Sequence, residues 1–220
     1  GYYLQLGRIF NQLGREKDYM ITLKAAYAKD LLDKEGEYLA LAQLLLLSEN
    51  PYWAAQVLVS GQNKLVEQKN DETEEVKLVP VVKNSEKNLK ILADAWRMAQ
   101  EIDKAIPILE QVSKMSKDGK SYVLLGNLYL QEDKITQAID AIEKGIKKGG
   151  LTNTSQVYMA LGQAHFENQS FEDAKKQFRV AARSKDEKIK KAANNWLRYT
   201  ENEEVRIKNL ALRRDFIQNS

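Results

Sequence analysis

At 220 residues, 43% hydrophobic and 30% charged, the chain holds enough apolar side chains for a sizeable core and enough charge for a solvated surface. It has no cysteine, which excludes disulfides, thiolate metal sites and cysteine nucleophiles, and its net charge of +3 demands no nucleic-acid partner. No apolar run approaches the roughly 18 residues that span a bilayer. Three prolines and eleven glycines favour long helices over a series of strand turns.

The chain opens on Tyr2-Tyr3-Leu4 with no basic start, apolar segment or cleavage site, so a repeating unit is expected to be under way there and the form to be mature or trimmed. The first unit carries a large residue, a Leu-small pair three residues later, and a second large residue: Tyr3, Leu6-Gly7, Phe10. The same pattern returns as Tyr38, Leu41-Ala42, Leu45, then as Leu89, Leu92-Ala93, Trp96, then as Tyr122, Leu125-Gly126, Tyr129, and last as Tyr158, Leu161-Gly162, His165. Twelve residues after each small residue come Tyr19, Ala54, Ala105, Ala138 and Ala174, and four residues further on Leu23, Leu58, Leu109, Ile142 and Phe178.

Large residues at i, i+3 and i+7 share one helical face. The small residue beside them lets a second helix approach, and the later alanine returns the contact. Each unit therefore reads as a helical hairpin that cannot bury its own apolar face and must stack on its neighbours. Successive small residues lie 35, 51, 33 and 36 apart. The surplus in the second interval falls in an insertion at 67–85, running from Glu67 through Asn70-Asp71-Glu72-Thr73-Glu74 and Pro80 to Ser85. Two readings stand for it: an extended second helix followed by a loop, or an acidic finger that touches a partner.

After Asp186 the period continues through Ile189, Ala192-Ala193, Trp196-Leu197 and Tyr199, as a capping helix would, and residues 200–214 then form either a protruding helix or a frayed tail. The basic residues here, among them Arg183, Lys190, Arg198, Arg206 and Arg214, read as a solvated face or as a surface for an acidic partner or anionic lipid.

No chemistry-bearing motif appears: no phosphate loop, no G-x-S-x-G and no H-E-x-x-H. The single histidine, His165, occupies a core aromatic position and has no partners for a zinc site. No enzymatic activity, cofactor or metal is expected.

The spacing resembles the tetratricopeptide repeat over residues 1–186, whose unit is 34 residues long. Tyr19 in place of alanine, His165 in place of an aromatic, and the lack of proline at repeat ends are departures. The resemblance implies an all-α fold, a right-handed superhelix or α-solenoid of about five hairpins at 1–33, 35–66, 86–118, 119–152 and 155–186, with a capping helix and charged tail at 187–220. It also implies a groove lined by the first helix of each hairpin. Carried over position by position, the groove residues are Gln43, Lys87, Lys90, Arg97, Lys120, Asn127, Gln131, Met159, Gln163 and Phe166, with Val123 and Gln156 among their neighbours. The family's clamp for an acidic C-terminus is not expected, because Asp94 and Leu124 stand where amides are needed.

Several segments resemble more narrowly the tetratricopeptide proteins encoded beside TonB, ExbB and ExbD in proteobacteria. They include Asn50-Pro51-Tyr52-Trp53-Ala54-Ala55, Asn88 to Trp96, Gly149-Gly150-Leu151 and Lys191 to Tyr199. That resemblance implies a periplasmic accessory protein of an energy-transduction system for outer-membrane uptake, with TonB, ExbB or ExbD components as partners and no membrane span of its own. The alternative is a general adaptor or envelope-assembly cofactor with another protein client, or a cytoplasmic one.

Overall fold

The computed structural model describes residues 2–69 and 75–219, which form eleven helices and one antiparallel pair of strands. Two compact units divide at Val112, and each is built from helical hairpins. The first, residues 1–112, holds α1 (Tyr2–Gln12), α2 (Glu16–Ala28), α3 (Glu35–Leu47), α4 (Pro51–Asn63), α5 (Glu86–Met98) and most of α6 (Ile102–Met115). The second holds α7 (Lys120–Gln131), α8 (Ile135–Lys148), α9 (Thr154–Glu167), α10 (Phe171–Ala181) and α11 (Glu187–Gln218).

One turn geometry closes every hairpin. Gly14, Glu49, Gln100, Asp133 and Gln169 each take a left-handed backbone, with φ between 54° and 66°. The N–H of the following residue then reaches back five positions: Arg15 to Phe10, Asn50 to Leu45, Glu101 to Trp96, Lys134 to Tyr129 and Ser170 to His165, each at 2.9 Å. This is the Schellman arrangement, which satisfies carbonyls left open at a helix C-terminus. The acceptor is in every case the second large residue of the repeated pattern, so side-chain packing and the turn are registered on the same residue.

The small residues act as the spacing requires. A Cβ at Gly126 would fall 2.5 Å from Ile142, and one at Gly162 would fall 2.5 Å from Phe178. Those bulky partners are fully buried. Burial of such a side chain contributes about 1.5–3 kcal/mol. In the first unit, Tyr38, Leu41, Leu45, Leu58, Leu89 and Leu92 form the corresponding core.

The insertion departs from the extended second helix. Helix α4 stops at Asn63, and an antiparallel hairpin follows: β1 (Leu65–Lys69) pairs with β2 (Val76–Pro80), Leu65 opposite Pro80 and Lys69 opposite Val76. Lys64 fixes the break. Its Nζ reaches Asp30 Oδ1 at 2.8 Å, Asp33 Oδ1 at 2.9 Å and Leu32 O at 2.9 Å. Desolvation opposes its charge, but the hydrogen bonds it donates to Asp30 and Asp33 outweigh that and raise its pKa. The Lys64 backbone is itself extended, with φ −77° and ψ 121°, where the helix gives way to the strand. The acidic stretch at 70–74 lies outside the described residues.

Helix α11 starts on Asp186, whose Oδ1 accepts from Lys188 N at 2.8 Å, and continues unbroken for 32 residues. Of the two sequence alternatives for the C-terminal stretch, the structure shows the helix. Among the described residues no helix is long and apolar enough to cross a membrane.

Candidate functional site

Within the second unit, α7 sets Lys120, Val123 and Asn127 along one face, at i, i+3 and i+7. Helix α9 faces them with Gln156, Val157 and Ala160, and Leu151, Thr152 and Asn153 of the connecting loop close the end. Together these nine residues line a cavity of about 230 Å³. Its floor belongs to a core cluster of Ile142, Val157 and Leu161, with Val123, Leu151 and Ala160 packed against it.

A close backbone approach positions the rim. The Gly119 N–H donates to Gly149 O at 2.7 Å, and a Cβ on Gly119 would lie only 1.9 Å from Gly145 O. Only glycine fits there, and the pinch holds the start of α7 and thus Lys120. Lys120 Nζ lies 3.3 Å from Asp118 Oδ2 and stays exposed. The chemistry is amphipathic: Asn127, Asn153 and Gln156 offer amides to a peptide backbone, the floor accepts a small apolar side chain, and Lys120 favours an acidic group.

Of the sequence-derived positions, Lys120 and Asn127 meet here, with Val123 and Gln156 beside them. Gln131 is exposed at the end of α7, and Met159 and Gln163 are half-buried on α9, outside the cavity lining. Phe166 is taken up elsewhere. Its ring lies 5.6 Å from Phe171, 5.6 Å from Trp196 and 5.3 Å from Tyr199, centroid to centroid. Trp196 and Tyr199 of the capping helix thus pack against the ring.

In the first unit, Gln43, Lys87 and Lys90 are exposed and Arg97 is half-buried. Lys90 pairs with Glu86 at 2.5 Å and Arg97 with Asp94 at 3.3 Å, both within α5. His165 is buried, with Nε2 3.7 Å from Glu143 Oε1 of α8. It is a core histidine. Among the described residues no group of three or more His, Asp or Glu side chains could hold a metal ion.

Sequence reasoning missed Leu151, Thr152 and Asn153 as site residues. The signal was the Gly149-Gly150 turn, where φ values of 78° and 71° redirect the chain into the cavity.

Residues 119–147 match the tetratricopeptide repeat model. The fold is that of a tetratricopeptide repeat array. Solved structures of MamA share it at low identity. One is 20% identical with a TM-score of 0.60, covering 84% of this chain and 97% of that one, and another is 20% identical with a TM-score of 0.59, covering 82% and 88%. MamA from Desulfovibrio magneticus RS-1 is 16% identical with a TM-score of 0.58, covering 84% and 96%. At these identities the likeness is one of fold. No curated protein matches the sequence.

Proposed function

We propose that this chain is a non-enzymatic scaffold that holds an extended segment of a protein partner in the cavity between α7 and α9, as an accessory protein of a TonB-type energy-transduction system in the periplasm. The observation that carries the binding mode is the amide-rimmed, apolar-floored cavity with Lys120 at its mouth. The TonB assignment is supported by the segments Asn50 to Ala55, Asn88 to Trp96 and Lys191 to Tyr199, which resemble proteins encoded beside those components.

The test is a crosslinked pull-down from native membranes with the intact protein as bait, repeated with Lys120→Ala, Asn127→Ala and Gln156→Ala combined. Recovery of TonB, ExbB or ExbD with the unaltered bait alone supports both parts. Equal recovery with the altered bait keeps the partner and removes the cavity as its seat. Unaltered TonB-dependent uptake after deletion of the gene, with no such proteins recovered, leaves the interaction scaffold and discards the TonB assignment.

A further inference from the structure

The β1–β2 hairpin is the one strand element among the described residues, and its register shows what can bind it. Val81 N–H donates to Lys64 O at 2.9 Å, and with Leu65 opposite Pro80 this makes Lys64 and Val81 a hydrogen-bonded pair. Bonded and non-bonded pairs alternate along an antiparallel ladder. Leu65 with Pro80 and Glu67 with Leu78 are therefore non-bonded pairs, and their backbone groups point away from the hairpin. On β2, proline removes the outward donor at position 80, beside the anchored base. On β1, the outward N–H groups of Leu65 and Glu67 remain, directly after the Lys64 anchor.

The outward face of the hairpin is mixed, with exposed apolar side chains beside Glu67 and Lys69. Leu65, Val76 and Leu78 share one face and are 55%, 56% and 64% exposed, whereas Val66 and Val79 on the other face are half-buried. An antiparallel sheet with one wet face ordinarily turns polar residues to water. Here apolar residues face out beside the β1 edge, with Glu67 and Lys69 among them.

We infer that β1 is a docking edge for an extended strand of a partner protein, which adds to the sheet by β-augmentation. Only an extended backbone matches outward donors and acceptors at alternate residues. The incoming strand places an apolar side chain beside Leu65 and, two residues along, a basic one beside Glu67. In full overlap a second copy of this chain is a poor occupant. Antiparallel pairing of β1 with its own copy in full overlap sets Glu67 against Glu67, and like charges directly opposite destabilise a ladder. This surface is separate from the α7–α9 cavity and does not depend on the function proposed for it.

The test uses a dye-labelled peptide, Thr-Val-Thr-Lys-Thr-Val-Thr, titrated with the intact protein by fluorescence anisotropy. Glu67→Pro removes an outward N–H without removing a ladder bond, a position where strand proline is tolerated, and circular dichroism checks that the fold is kept. The expected result is saturable binding, weakened at least about tenfold by Glu67→Pro and by N-methylation of the peptide's alternate amides, and unchanged by Val76→Pro on the other edge. Glu67→Lys weakens the lysine peptide and strengthens one with glutamate at its centre. Equal binding by the protein and its Glu67→Pro variant, or no saturation below about 1 mM, overturns the inference. So does sensitivity to Val76→Pro alone. A concentration-dependent dimer in sedimentation that Glu67→Pro abolishes would make the occupant a second copy and overturn it as well.

Discussion

Glu204 sits between two lysines of different origin, with Lys175 Nζ of α10 at 2.7 Å and Lys208 Nζ of its own helix at 2.6 Å. Hydrogen bonds from Lys175 first and Lys208 second hold its carboxyl down at about 2, against an ordinary value of 4.5. A depressed carboxyl stabilises the folded state above its unfolded value and loses that contribution as pH falls through the folded one. The docking of α11 on α10 is therefore expected to loosen between pH 4.5 and 2. Fluorescence of Trp196 in a variant lacking the other two tryptophans would follow it, and Glu204→Gln should remove most of the pH dependence in that window. An unchanged profile would show that the clasp contributes nothing to docking. At Gly162 the argument is steric. Phe178 ring atoms stand 2.5–3.0 Å from any added Cβ, and that ring is stacked on Trp196 at 5.6 Å, so it has little room to move. Gly162→Ala is expected to cost about 1–3 kcal/mol in urea unfolding through overpacking.

The hairpin turns show where an element is built against its own sequence. A non-glycine residue in the left-handed region costs roughly 1–2 kcal/mol, yet only the first of the five turns uses glycine there. Gln100→Gly and Glu49→Gly should each stabilise the protein by about 0.5–1 kcal/mol, since relief of strain outweighs the added freedom of the unfolded chain. Chemical denaturation checks this, and destabilisation by both would mean that their side chains do more than turn the chain. The same turns explain why the helices were legible. The residue that packs the hairpin also accepts the turn bond, so motif spacing and backbone geometry are locked together and the period survives substitutions such as His165. The β-hairpin was not legible for the opposite reason. Its strands are only five residues long and mix Glu, Gln and Lys, good helix formers, into a weak alternation, while the break that precedes them is made by Lys64 reaching residues more than 30 positions away. At the cavity, Lys120 and Asn127 were readable as one face of α7. Leu151 to Asn153 were not, because only the approach of Gly119 to Gly145 and Gly149 brings that loop to the rim.

For the whole molecule, the chain divides into two compact units at Val112. In a repeat array each hairpin draws its stability from its nearest neighbours, so damage should spread only as far as the coupling between hairpins carries it. Leu58 is fully buried in α4 of the first unit, and truncation there leaves a cavity. Leu58→Ala is expected to cost about 2–5 kcal/mol. Hydrogen exchange read by segment should then rise through α1 to α5 and stay unchanged in α7 to α10, where the Lys120–Asn127 cavity lies. That outcome would let partner binding at the cavity persist in a chain whose first unit is frayed. Exchange that rises equally on both sides of Val112 would instead show a single cooperative transition, in which a core mutation far along the sequence weakens the cavity as much as one beneath it.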